Sequence, residues 1–227
     1  MRAAVYLGEG VDLPLFRLLV RELRSLSFCS PFSVNRDFFL EEGWEQKCEV
    51  VIIPGGRDIP YHARLKGEPN RRLKEFVVSG GGYLGICAGG YFGAGFVEFE
   101  KGGELEVVDH RELAFFPGKA VGPAYGKGVF SYDSQAGVRS AALSWKEGVS
   151  HVYFNGGCYF DQSDAHPHVE VIARYEDLEG SPPAIIECKV GKGRAILSGA
   201  HLECSAAEHE RGRQKLWQHI IKKFIKT

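Results

Sequence analysis

Apolar runs that end in glycine-rich turns and alternate with helical patterns constrain the fold of this chain most strongly. The runs lie at 3–8, 49–56 and 83–86. Leucines at helical spacing follow the first run over 15–26, and a further helix is predicted around 71–78. Continuously apolar strands that alternate with helices indicate a largely parallel sheet covered on both faces. In such a fold, ligands bind at the carboxyl ends of the strands.

The second half of the chain predicts an addition to that sheet. Between about 100 and 175 the pattern changes to short β-prone stretches separated by glycines, which indicates antiparallel strands added to the core sheet. A hairpin is predicted over 182–201 and a helix over 206–225. We therefore predict an α/β fold, a flavodoxin-like three-layer sandwich with a mostly parallel central sheet and an antiparallel β elaboration. Residues 1–227 are expected to form a single domain.

The charge and the cysteine content argue against several classes of function. Basic residues number 28 and acidic residues 29, so the net charge of -1 offers no broad field to hold nucleic acid or an anionic membrane. No apolar stretch reaches bilayer-spanning length, and neither export nor membrane insertion is expected. The cysteines lack metal-ligand spacing, so we expect no metal, and we expect no cofactor. Because nothing directs the chain to an oxidising compartment, we expect a cytoplasmic protein with reduced thiols. They are Cys29, Cys48, Cys87, Cys158, Cys188 and Cys204.

The sequence from Gly85 to Gly89 is the strongest chemical signal in the chain. A strand is predicted before Cys87 and a helix after it, so this cysteine lies on a sharp turn with strained backbone angles. Glycines two positions to either side avoid the steric clashes that such a turn imposes. The thiol then faces the crevice above the sheet, near a helix N-terminus that favours the thiolate. The alternative is a buried structural cysteine in a glycine-rich packing contact.

Two other segments are predicted to reach the same edge of the sheet. His201 and Glu203 follow a predicted strand, so the imidazole is placed to accept the Cys87 proton while the carboxylate fixes its tautomer. The turn that contains Gly56 frees backbone N–H groups, which are predicted to meet a developing oxyanion together with the N–H of Ala88. Taken alone, His201 has a surface or core histidine as its alternative, and the turn that contains Gly56 has an ordinary turn as its alternative.

These motifs and their order resemble the class I glutamine amidotransferase-like superfamily. Four segments are more specifically similar to the amidotransferase-like domain found at the N-terminus of eukaryotic biotin-protein ligases and as free-standing bacterial proteins. They are PGGRDIPY at 54–61, GGGYLGICAGGYFG at 80–93, VYFNGGCYF at 152–160 and LSGAHLE at 197–203. The resemblance covers most of the chain. It implies a triad of Cys87, His201 and Glu203, with Gly56 and Ala88 at the oxyanion hole.

The same resemblance implies a substrate pocket beside the cysteine. Asn155 and Gly156 belong to a motif that either lines the crevice or forms a tight hairpin with packed aromatics. Gly55 and Asp58 are assigned to the same pocket, although Asp58 has capping of the following turn as its alternative. Tyr91 stands where the glutaminases usually carry a glutamine that helps to hold the substrate. This departure counts against glutaminase activity.

The sequence supports an enzyme and two other functions. The first is a cysteine hydrolase or transferase that acts on an amide or related carbonyl of a small molecule. The second is a non-glutaminase binding or regulatory module that docks on a partner protein such as a ligase or synthase. The third is a redox-sensing thiol, since exposed cysteines of low pKa oxidise readily.

Overall fold

The computed structural model describes residues 1–132, 134–204 and 212–225. The strands are β1 (Arg2–Tyr6), β2 (Ser30–Val34), β3 (Val50–Ile53), β4 (Gly82–Ile86), β5 (Ala94–Phe99), β6 (Val107–His110), β7 (Phe116–Gly122), β8 (Arg139–Trp145), β9 (Gly148–Phe154), β10 (Tyr159–Asp161), β11 (Val169–Tyr175), β12 (Pro183–Val190) and β13 (Gly193–Ser198). The α-helices are α1 (Leu13–Arg24), α2 (Asp58–Leu65), α3 (Glu68–Val78), α4 (Ala88–Gly93) and α5 (Arg213–Lys222).

A nine-stranded sheet in the order β2-β1-β3-β4-β13-β12-β11-β8-β9 forms the centre of the fold. The pairings from β2 to β13 are parallel, and those from β13 to β9 are antiparallel. Every residue of β3 and β4 is buried, as expected for parallel strands covered on both faces. The α/β class and the antiparallel elaboration are thus confirmed.

Alternate residues of the central strands pack into two separate cores, which makes the fold a three-layer sandwich. Ala3 and Val5 of β1 join a core that includes α1 and α5. Ala4 and Tyr6 join a core that includes α2, α3, α4 and a second sheet. Side chains of a strand point alternately to opposite faces, so a strand buried along its whole length requires a layer on each side.

The second sheet differs from the prediction that the strands after residue 100 would all join the core sheet. It has four strands in the order β10-β7-β5-β6, and its β5–β7 pairing is parallel. Helix α4 is only six residues long, so the chain enters β5 at Ala94 and begins a new sheet beside the first. Helix α2 is also not among the helices predicted from the sequence, which instead places Asp58, at the start of this helix, in the pocket or in a turn.

The last helix is observed over a shorter span than predicted. Helix α5 begins at Arg213, directly after Gly212 in a left-handed conformation, whereas the predicted start at 206 lies outside the described residues. None of the helices in the described ranges is long and apolar enough to cross a bilayer. Within those ranges no group of histidine, cysteine and carboxylate side chains is arranged to hold a metal ion.

Trp44 is expected to contribute strongly to stability, because it is fully buried among Phe38, Phe39 and Phe76, with ring centroids 5.0–5.4 Å away. Trp44→Ala should lower the free energy of unfolding by about 3–5 kcal/mol. Its indole nitrogen has no hydrogen-bond partner among the described residues. Trp44→Phe should therefore cost much less, since it keeps an aromatic ring and removes a buried unpaired N–H. Urea unfolding followed by circular dichroism tests both, and equal losses would contradict this account.

Candidate active site

Cys87 lies at the turn between β4 and α4 in a strained conformation, with φ 50° and ψ -104°. Its N–H donates to Ser198 O at 2.8 Å, and its carbonyl accepts the first helical hydrogen bond from Tyr91 N at 3.0 Å. A Cβ added at Gly85 would lie 2.2 Å from Gly89 O, and one added at Gly89 would lie 2.0 Å from Ile53 O. The steric reason predicted for these two glycines is therefore confirmed.

His201 and Glu203 reach Cys87 from the segment after β13. The Nδ1 atom of His201 lies 2.8 Å from Oε1 of Glu203, and His201 and Cys87 line the same cleft. The backbone N–H of His201 donates to Tyr153 O at 2.9 Å, which anchors this segment to the end of β9. The structure thus brings together the three side chains that the sequence assigned to one site.

The charge of Glu203 controls the protonation of His201. Burial lowers the pKa of the imidazole, but the Glu203 carboxylate and Cys87 outweigh burial and raise it well above 6.5. Both side chains of the His201–Glu203 pair are almost completely buried, at 2% and 0% exposed. Oε2 of Glu203 has no hydrogen-bond partner among the described residues. The imidazolium is therefore the main counter-charge of this carboxylate.

The Pro54-Gly55-Gly56 turn packs directly against the imidazole. A Cβ at Gly55 would lie 2.4 Å from Cε1 of His201, so only glycine leaves room for the ring. Gly56 has a φ of 144°, and a Cβ there would lie 2.0 Å from Gly10 O. Gly56 and Ala88 both line the cleft beside Cys87. The N–H of Ala88 precedes the first hydrogen bond of α4, so it has no acceptor within that helix.

A cleft of about 680 Å³ opens above these residues. The predicted pocket residues Asp58, Tyr91, Asn155 and Gly156 all line it. Gly55 lies behind His201 and is not part of the lining. Other lining residues, which the sequence did not predict, include Asp12, Arg57, Phe99, Phe130, Tyr132, Tyr153 and Cys204. Their proximity to Cys87 depends on tertiary structure.

The segment from Asn155 to Gly157 crosses from one sheet to the other. Strand β9 before it belongs to the large sheet and β10 after it to the small sheet, so the hairpin alternative is wrong. The Cys87 thiol lies 3.8 Å from Asn155 O, and the Tyr91 hydroxyl donates to Gly156 O at 3.0 Å. Backbone carbonyls of the crossing segment therefore contact the nucleophile turn.

Asp58 is held by Arg111, a residue that no sequence motif pointed to. Nε and Nη2 of Arg111 donate to Oδ2 of Asp58 at 2.9 and 2.8 Å, and the guanidinium is 1% exposed. Burial raises the pKa of Asp58, and Arg111 opposes that effect. This ion pair joins the start of α2 to the segment after β6.

The amino-acid sequence matches the biotin-protein ligase N-terminal family over residues 1–227. The chain belongs to this family. A Chlamydia muridarum (strain MoPn / Nigg) protein described as uncharacterized is 44% identical over 211 residues, which cover 89% of this family member and 80% of that protein. The biotin--protein ligase of Schizosaccharomyces pombe is 39% identical over 243 aligned residues, covering 98% of this chain but only 37% of the ligase.

The fold of this family member is that of the class I glutamine amidotransferase-like proteins. The structure of PurLQS from Thermotoga maritima superimposes with a TM-score of 0.66 at 17% identity, covering 99% of both chains. At this identity the likeness describes the fold alone. The likeness agrees with the α/β fold that the sequence predicted.

Gly55→Ala is expected to displace the His201 ring, because the added methyl group would overlap Cε1. Alkylation of Cys87 by iodoacetamide should slow by about 10- to 100-fold, as expected when a partner group is misplaced by about an ångström. Gly103→Ala is the matched control, since it lies in an exposed turn and the nearest atoms to its Cβ would belong to Glu100, with Glu100 O the nearest at 3.0 Å. Equal alkylation rates in the two variants would contradict the packing argument.

Glu203→Gln is expected to lower the pKa of His201, which an NMR pH titration of the imidazole measures. Because the folded-state pKa is raised above 6.5, the stabilisation from His201 protonation is fully present below about pH 6.5 and is lost as pH rises through the folded-state value. The stability deficit of the variant should therefore be largest at low pH and shrink as the pH rises. The His62 titration serves as an internal control, and an unchanged His201 titration would contradict the coupling.

Proposed function

We propose that this protein is a cysteine hydrolase or transferase that acts on an amide or related carbonyl through Cys87, His201 and Glu203. The supporting observation is that Cys87 and His201 line one cleft, while the imidazole of His201 pairs with the buried Glu203 carboxylate at 2.8 Å. The strained turn at Cys87 adds to this support, because strain of this kind concentrates at functional sites.

In the proposed reaction, His201 has accepted the Cys87 proton and holds it as an imidazolium, and the sulfur attacks the carbonyl carbon as a thiolate. The carbonyl π electrons move to oxygen, and the oxyanion is stabilised by the N–H groups of Gly56 and Ala88. The C–N bond then breaks as His201 returns the proton to the leaving amine. Water, deprotonated by the same imidazole, attacks the thioester and releases the acid and the free thiol. An acceptor amine in place of water gives transfer instead of hydrolysis.

Glutamine is not the proposed substrate. Tyr91 is buried, its hydroxyl is engaged by Gly156 O, and its ring packs edge-on against Phe99 with centroids 5.7 Å apart. An aromatic wall thus occupies the position where the superfamily glutaminases usually carry an amide side chain. A substrate that places an apolar segment against this wall fits it better than glutamine, which carries an α-ammonium beside its carboxylate.

A regulatory module is the second candidate function. The supporting observation is the 39% identity to part of a fungal biotin--protein ligase, of which the chain spans 37%. In this hypothesis the chain docks on a ligase or synthase and the cleft does not turn over substrate.

A pull-down with Cys87→Ala separates the two candidates. Retention of both the partner and the cellular effect favours the module, and loss of the cellular effect favours the enzyme.

Acylation by p-nitrophenyl acetate tests the enzyme hypothesis directly. Peptide mass mapping should locate the acetyl group on Cys87, and Cys87→Ser should abolish that thioester. His201→Ala should slow acylation by about 10²- to 10⁴-fold, since it removes the general base. Cys29→Ser is the matched control: burial raises the pKa of the Cys29 thiol to about 11, so its loss should leave the rate unchanged. Acylation that is unaffected by His201→Ala would contradict the proposed mechanism.

A further inference from the structure

Each carboxylate that lines the cleft already has a partner within the protein. Glu9 pairs with Arg64 at 2.5 Å, and Asp58 pairs with Arg111 at 2.8 Å. Oδ1 of Asp12 accepts from Leu15 N at 2.9 Å and so caps α1. Each of these carboxylates thus makes a contact within the protein, and two of the three pair with an arginine.

Arg57 is the one lysine or arginine in the cleft lining, as far as the described residues extend. It follows Gly56 directly, its side chain is exposed, and no carboxylate of the described residues forms an ion pair with it. Its guanidinium carbon lies 4.2 Å from the centre of the Tyr132 ring. Stacking on the aromatic face restricts the side chain while the N–H groups at the guanidinium edge stay open to a ligand.

An aromatic wall connects this guanidinium with the nucleophile turn. Tyr132 packs on Phe130 with centroids 4.9 Å apart, Phe130 on Phe99 at 5.5 Å, and Phe99 on Tyr91 at 5.7 Å. All four rings line the cleft, and Tyr91 is one helical turn after Cys87. The cleft therefore offers a nucleophile at one end, apolar rings along its wall and an open guanidinium by Tyr132.

We propose that Arg57 binds a carboxylate of the substrate. The substrate class is then an amide or ester that bears a carboxylate. An apolar segment lies between this carboxylate and the carbonyl that Cys87 attacks. This inference rests on the proposed function for the role of Cys87. A guanidinium presents parallel N–H donors that match the two oxygens of a carboxylate, and such bidentate contacts are among the stronger hydrogen bonds in proteins. Tyr132 is a positioning residue that holds the guanidinium in place.

Alkylation of Cys87 by matched bromoacetyl probes tests this inference without requiring turnover. The probes are N-bromoacetylglycine, N-bromoacetyl-β-alanine and N-bromoacetyl-6-aminohexanoate, each compared with its neutral methylamide. In each case the sulfur displaces bromide from the same methylene group, and only the distant charge differs. The ratio of the two rate constants, measured by peptide mass mapping, reports carboxylate recognition.

The wild-type protein should prefer the carboxylate probe by about tenfold or more for at least one spacer length. Arg57→Gln should reduce that ratio to about one while leaving the rate of the neutral probe unchanged, which also shows that the variant is folded. Arg139→Gln is the matched control, because Arg139 stacks on Tyr125 at 4.4 Å and does not line the cleft. It should leave the ratio unaltered.

Two results would overturn the inference: a ratio at or below one in the wild-type protein for every spacer, or a ratio that survives Arg57→Gln. Either leaves the proposed function intact, provided that the neutral probes react at Cys87. A wild-type protein in which neither probe type alkylates Cys87 contradicts both proposals. If the carboxylate probes alkylate Cys87 selectively but no amide is turned over, the result supports carboxylate binding by Arg57 and contradicts the proposal that the protein is an enzyme.

Discussion

The site depends on the backbone turn that presents Cys87. An L-residue at φ 50° and ψ -104° is strained, and the surrounding structure has to hold it there. Glycines at 85 and 89 allow the strand, the helix and β3 to approach within distances that no Cβ tolerates. Hydrogen bonds from Cys87 N to Ser198 and from Tyr91 N to Cys87 O fix both sides of the turn. Parallel neighbours β3 and β13 therefore position the nucleophile as well as forming the core.

A buried ion pair, such as the one beside this turn, is costly unless the attraction between its two charges compensates for their lost hydration. His201 and Glu203 are both buried, and His201 lines the same cleft as Cys87. Gly55 packs against the ring, and Tyr153 O accepts the backbone N–H of His201. The pair is thus restrained on several sides.

The second sheet determines the character of the cleft. Tyr91 contacts Phe99 of β5, and the segment between β9 and β10 passes over the nucleophile turn as the chain moves from one sheet to the other. Aromatic rings and carboxylates consequently line the cleft. Arg57 also lines it, and no carboxylate of the described residues forms an ion pair with this side chain. The second sheet thus contributes Phe99 to a cleft whose Cys87 follows a strand of the large sheet.

The amino-acid sequence by itself determined the α/β class, the strand-to-helix turn and the identities of Cys87, His201 and Glu203, because these depend on local periodicity and on glycines required by local sterics. It did not reveal the second sheet, the crossing segment, the Asp58–Arg111 pair or the stacking of Arg57 on Tyr132. The two side-chain contacts, Asp58–Arg111 and Arg57–Tyr132, join residues at least 53 positions apart, and the side chains carry no local signal of their partners. Only the tertiary structure decided which charges are neutralised in the cleft, because neutralisation depends on distances between loops that have no sequence period.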